Sequence, residues 1–466
     1  MRLHAEWNRY WFDSGGRVAA AVVRIALAAA VLLLLVRLHD LPPIARPDAM
    51  AAAVYRPVGL LLLVSAPPPS WLIAAASVVA WTAASAMLIG LCSRIACAVT
   101  ALAAVMLASQ AMSFQQSWSH DFPIVLTALI AFLGARGGDT LSLDAALRRR
   151  RGDEVPADAC YQWSLRLVQL AVGLMFVSAC ASKLRAGGVW WAWSDNLRHQ
   201  LLARYDLLGE VHRPAIVDWL LADEWRYHVA AACSLIAQAV PLGAIVFASR
   251  PIVRAIAAVV FIAEIVGLHV VMQFGNPSWF PLAAVFVDWD ALAKAARPAV
   301  APRVGLAPRI FVAVFVAYDL VISFVPSLDQ RLRTFPFSGF PMFAAIRAKA
   351  PYDVHQSYEL VGQRIELIAA MPTEPWIQAE LDRDYAFRSL YRERDPARLR
   401  ARMGALIAEV RSRYPQLGIR GARLLRVTYQ VPAYPAPARL VERQVEALGQ
   451  LVGGTWTPFD GNPAGE

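Results

Sequence analysis

Apolar residues fall in runs long enough to cross a bilayer, broken by short polar or proline-rich stretches. The first run, Val18 to Val36, follows a head carrying Arg2, Arg9 and Arg17. No small-residue cleavage site follows it, so it predicts an uncleaved first span. Further runs predict spans over 71–91, 95–113, 120–135, 163–183, 228–248, 252–273 and 309–326, since about 20 apolar residues in a helix match a hydrocarbon core of about 30 Å. Residues 277–289, shorter and interrupted by proline, predict a ninth. The run Val58 to Ala66, stopped by Pro67-Pro68-Pro69, is too short to span and reads as re-entrant. In the long loop 184–227, Leu197, Leu201, Leu202, Tyr205 and Leu208 recur at helical spacing and predict a piece that lies on the membrane or caps the bundle.

The pattern changes after residue 326. FPFSGFPMF (335–343) suits an interfacial linker, and YELVGQRIEL (358–367) reads as strand–turn–strand. Helices are predicted over 374–393 and 396–413, the second with Asp395 as N-cap and Pro396 in its first turn. Leu399, Met403, Leu406, Ile407 and Val410 form its apolar stripe, and LLRVTYQV (424–431) predicts a strand. The expected fold is an all-α polytopic membrane bundle of eight or nine transmembrane helices, with a small C-terminal α+β extramembrane domain. The expected division is 1–326 and 327–466.

Composition agrees. The chain is 58% hydrophobic and 17% charged, where a soluble domain is about a quarter charged. Charged residues make up 24% of 327–466 but only 14% of 1–326. The net charge of +10 forms no basic stripe with interleaved aromatics, which argues against nucleic acid. Five cysteines without a CxxC pair argue against a thiol redox or metal site built on them. With nine spans and the N terminus inside, 15 Lys and Arg of the loops lie on the cytoplasmic side and 8 on the other. The positive-inside rule then favours a cytoplasmic N terminus and an external tail; with eight spans the tail would change sides.

Three basic residues remain within spans: Arg24, Arg166 and Lys183. Intramembrane charges are expensive and mark function or structural pairing. Lysine occurs only at 183, 294 and 349, against 42 arginines. A lysine held at the end of an apolar span is what a buried general base requires, because lysine can give up its proton and arginine effectively cannot. The structural alternative is a snorkelling side chain. His120, in SWSHDFP, is expected at the same membrane level as Lys183. His269 and Glu264 lie on one span but about 140° apart around it. For His269 the alternative is an interhelical hydrogen bond, and for Glu264 an ion pair with Arg24 or Arg166. No HExxH, Walker or Gly-rich nucleotide motif is present.

YRPVGLLLL (55–63), GLCSR (90–94), SWSHDFPIVLTAL (117–129), VSACASKLRAGGVWW (177–191) and GLHVVMQFGNPSWFPLAAVF (267–286), in that order, resemble the HTTM (horizontally transferred transmembrane) domain over residues 20–340. This is the family of vitamin K-dependent gamma-carboxylase. The resemblance implies a bacterial inner-membrane protein in which Lys183 deprotonates a reduced quinone such as vitamin K hydroquinone, with His120 in support. Reaction with O2 then yields a base strong enough to remove a glutamate γ-proton, and CO2 adds to the carbanion. Catalytic roles are thus expected for Lys183 and His120, and substrate contacts for His269, Glu264 and Trp190. Expected partners are the lipid bilayer and a quinone or protein substrate. The chain departs from the family after Lys183, where the tryptophan-then-glycine spacing is absent, and at Asp121, which stands where an aromatic usually follows the histidine. A short tail replaces the large substrate-gripping domain. The other readings are a non-catalytic scaffold presenting the tail to an envelope partner, and a small-molecule or lipid transporter.

Overall fold

The computed structural model describes residues 2–50, 55–114, 121–295 (except 157, 203, 206–212 and 275), 302, 304–325, 334–339, 352–361, 367–368, 396–413 and 418–458 (except 419, 431, 433, 437, 440, 453 and 454). His120, the predicted helix 374–393 and the cap at Asp395 lie outside the described residues.

Seven helical segments are long and apolar enough to cross a membrane. They are α2 (Arg17–His39), α3 (Ser70–Ile89), α4 (Ser93–Ser113), α7 (Gln162–Gly187), α10 (Glu224–Val246), α11 (Pro251–Met272) and α12 (Leu306–Phe324). Shorter helices join them: α1 (Arg2–Phe12), α5 (Pro123–Ala131), α6 (Leu143–Arg151), α8 (Asn196–Leu202) and α9 (Ala215–Leu221). Helix α7 is the axis of the bundle and is enclosed over most of its length, packed by α5, α10 and α12. Its position explains why apolar residues surround it on every side rather than along one stripe.

Residues Pro277–Phe286 form a 3-10 helix rather than a long α-helix. Proline lacks the N–H that an α-helix needs at an interior position, and Pro281 stands inside this run. The segment nevertheless runs alongside α2 from end to end. At one end the Asn276 side chain and the Trp279 indole donate to the carbonyl of Asp121, whose carboxylate pairs with Arg37 near the end of α2. At the other, Asp290 accepts from the backbone N–H groups of Val18 and Ala19 in the first turn of α2. The 3-10 helix itself has ten residues, which at about 2.0 Å each cover about 20 Å. Pro277–Phe286 is thus a shorter apolar helix beside the seven of spanning length, where eight or nine spans were expected. The short helix α5 also runs between the two ends. Asp121 before it sits by Arg37, while Gly137 after it packs on Arg24.

With these passes, α1 and the exit of α12 lie at opposite ends of the bundle. Tyr10 of α1 donates to the Ile245 carbonyl where α10 finishes. Arg185 at the far end of α7 donates to the Phe324 carbonyl at the end of α12. The run 58–66 becomes a short 3-10 turn, Gly59–Leu63. Gly59 has φ +57 and presses against Ser109 and Phe335, where any Cβ would collide. Helix α8 falls on the predicted amphipathic stretch, and Leu201, Leu202 and Tyr205 cap the core as expected.

In the tail, the described residues form a five-stranded antiparallel sheet of order β2-β1-β3-β4-β5. The strands are β1 (Tyr352–Val361), β2 (Leu367–Ile368), β3 (Gly421–Gln430), β4 (Val441–Val452) and β5 (Thr455–Pro458). The helix predicted over 396–413 is present as α13 (Pro396–Arg413) and packs on β3 and β4. Strands β4 and β5 were not expected from the sequence. The connector between β3 and β4 docks on the loop 184–227. The Arg198 guanidinium donates to the carbonyls of Pro432 and Ala436, and Arg213 to that of Ala438.

Two carboxylates hold helix starts from a distance. Asp290 serves α2, whose own cap residue Gly16 has no side chain to offer. A Cβ on Gly16 would lie 1.5 Å from an oxygen of Asp290. Both Asp290→Ala and Gly16→Ala should therefore lower the apparent Tm of the detergent-purified protein, each by the equivalent of about 1–2 kcal/mol. Combining them should add little. Asp144 does the same for α4, accepting from the Cys92 and Ser93 backbone N–H groups and the Ser93 hydroxyl. Partial burial works to raise its carboxyl, but these hydrogen bonds and the charge of Arg148 outweigh that and hold it below its ordinary value of 3.8. Because the folded-state value is depressed, its stabilisation is complete above the ordinary carboxylate range and is lost as pH falls through it. The stabilities of Asp144→Asn and wild type should differ at neutral pH, begin to converge below about pH 4 and meet only below the depressed folded-state value.

Candidate polar site in the membrane core

Lys183 lies one turn before the end of α7, just ahead of Gly187-Gly188. Gly188 has φ +57 and ψ −142, a conformation essentially confined to glycine. The chain reverses there into a 3-10 turn, Gly188–Trp191. The reversal lays Trp191 over the lysine, with Nζ 5.2 Å from the ring centroid. Of the two tryptophans, Trp191 is the cover and is only 3% exposed, whereas Trp190 is 68% exposed. The expected substrate contact at Trp190 is therefore not part of this arrangement, because neighbouring residues in a 3-10 turn point about 120° apart.

Lys183 is 1% exposed. Its Nζ donates to Gln238 Oε1 at 2.8 Å. Gln238 Nε2 donates in turn to Glu264 Oε1 at 2.7 Å, and the Ser234 hydroxyl donates to the same oxygen at 2.8 Å. The amide orientation follows from the two charges, since its oxygen faces the donor and its NH2 the acceptor. Gln238 and Ser234 are one turn apart on α10, and Glu264 comes from the adjoining α11. Three spans thus contribute to one line of polar groups: amine, amide, carboxylate. Among the described residues no carboxylate lies within ion-pair distance of Lys183, and its direct partners are an amide oxygen and an indole face. Hydrogen bonds to charged groups contribute about 1.5–3 kcal/mol each, and a desolvated cation–π contact about 2 kcal/mol.

The other candidates separate. His269 is exposed, on a different face of α11 from the buried Glu264. His120 is outside the described residues, although its neighbour Asp121 stands at the end of the bundle that also holds Lys183. Neither arginine pairs with Glu264. Arg24 donates to the Leu141 carbonyl, and Arg166 to Gln169 and the Ala248 carbonyl. Sequence reasoning missed Gln238 and Ser234. Gln238 is the only amide side chain in 228–248, and that was the available signal. It also missed Asp319 on α12, which is 2% exposed with Oδ2 lacking a hydrogen-bond partner among the described residues. A lone acid in the run 309–326 was equally visible.

Compared with known proteins, the chain matches no family, no curated sequence and no solved structure. It is a multi-pass helical membrane protein.

Replacing Gln238 by Leu would strand an ammonium and a carboxylate in an apolar interior. Gln238→Leu should destabilise the protein by about 2–4 kcal/mol, a few times the cost of a lone unmade hydrogen bond. In a Lys183→Met, Glu264→Gln background the same change should cost less than half as much. Thermal denaturation of the four variants in one detergent reads this coupling directly.

Proposed function

We propose that this is an HTTM-like membrane enzyme that uses Lys183 as a base towards a reduced quinone, with carboxylase-like chemistry following. The observation that carries the reading is the partnership of Lys183 with a neutral amide inside the bundle. A structural lysine at a helix end would extend to the headgroups or meet a carboxylate directly. Here Lys183 is enclosed, and the carboxylate is one residue removed, behind Gln238.

In this reading the free amine of Lys183 takes the proton of a hydroquinone hydroxyl. Gln238 Oε1 holds the ammonium that forms, and Glu264 stabilises it through the amide. Trp191 moves aside to admit the substrate ring and then packs on it. The bundle 1–326 houses the reaction, and residues 327–466 form a small α+β extramembrane domain on the side opposite the N terminus. The excess of basic residues in the loops on that side supports a cytoplasmic N terminus.

The protein should be purified in detergent, extracted for co-purified quinone, and supplied with vitamin K hydroquinone, O2 and bicarbonate. Oxidised quinone products should accumulate with wild type. Lys183→Arg should be folded, membrane-inserted and slower by at least about 100-fold, the lower range for losing a positioned acid–base group. Full activity in Lys183→Arg would remove the base role, and the absence of any quinone turnover in wild type would remove the substrate class.

A further inference from the structure

Asp195, Glu224 and His228 converge at the rim of the bundle, apart from the site at Lys183. One ligand atom from each lies within 4.8 Å of the other two. Glu224 and His228 are four residues apart in the first turns of α10 and so share a face. Asp195 arrives from the segment between the Trp191 turn and α8. We propose that these three side chains bind a divalent transition-metal ion.

Four observations support the site. Two carboxylates and a neutral imidazole offer two negative charges to a doubly charged ion. Among the described residues, the His228 Nε2 is shielded from solvent and has no hydrogen-bond partner. Its ring is held edge-on by Trp193 and Tyr227, at 5.8 and 4.7 Å between centroids. The Tyr227 hydroxyl donates to Asp195 Oδ1, the kind of outer hydrogen bond that fixes a ligating carboxylate. The start of α10 opposes a cation through its helix dipole, but that effect is screened at a surface and small beside direct ligation. Mixed imidazole and carboxylate donors favour the manganese–iron–zinc class over magnesium or calcium. Three protein ligands leave coordination positions open to water or another molecule.

Asp195 is four residues beyond Trp191, so a bound ion would fasten the segment that covers Lys183 to α10. The binding site itself does not depend on the chemistry proposed at Lys183. The probe is Mn2+, because the exposed thiols of Cys92 and Cys233 would take softer ions. Titration of the full chain in detergent, followed by electron paramagnetic resonance of free Mn2+, should show one tightly bound ion per chain. Glu224→Gln and His228→Gln should each weaken binding by more than the roughly tenfold that even an outer partner is worth. Asp223→Asn, which alters a neighbouring carboxylate paired with Arg226, should leave it unchanged. Should His228→Gln fail to yield monodisperse protein, Glu224→Gln, at an exposed position, decides alone. No binding to wild type at millimolar Mn2+, or binding unaffected by Glu224→Gln, overturns the proposal.

Discussion

A carbonyl or amide inside hydrocarbon has no water to turn to, and this architecture follows from that constraint. Long α-helices meet it internally, but Pro277–Phe286 cannot, because proline interrupts the ladder. The chain resolves the conflict by seating the segment against α2 and supplying partners from outside it. Gln169 of α7 donates to the Val285 carbonyl and the Trp289 indole to that of Ala284. Backbone that departs from the α-helix is tolerated in the hydrocarbon region where protein encloses it, and the helices packed on this segment include α2 and α7. The position of Gln169 on the central helix is thereby explained: it completes a neighbour's backbone rather than its own helix.

The same constraint gives the Lys183 line its character. Three polar side chains on three spans cost less together than apart, since each satisfies the next. An amide between amine and carboxylate keeps two opposite charges apart without leaving either unbonded. A direct ion pair would have been simpler to build and would have tied up both charged groups.

The seven long spans were legible because hydropathy over about 20 residues is a strong signal, and the prolines of 277–289 marked that run as shorter and interrupted. Lys183 was legible as a rare lysine in an arginine-rich chain. Its partner was not, because contact between 183 and 238 depends on how α7 and α10 rotate against each other, which apolar faces all round do not specify. The covering tryptophan was not legible either: Trp190 was singled out, and it is Trp191 that turns inward. In the tail, VERQVEALGQLV (441–452) is rich in residues that favour helix. Pairing with β3 along the whole strand overrides that preference.

Arg198 and Arg213 hold the tail by its main-chain carbonyls at Pro432, Ala436 and Ala438. Such a grip recognises the path of the connector and not the identity of its side chains. At Pro432 and Ala436 the arginine bonds main chain, so those contacts survive side-chain changes that keep the backbone's course, whereas Ala438 also packs on the apolar core. The burden of specificity falls on one side of the contact, and the tail is free to evolve new surfaces without coming loose from the bundle.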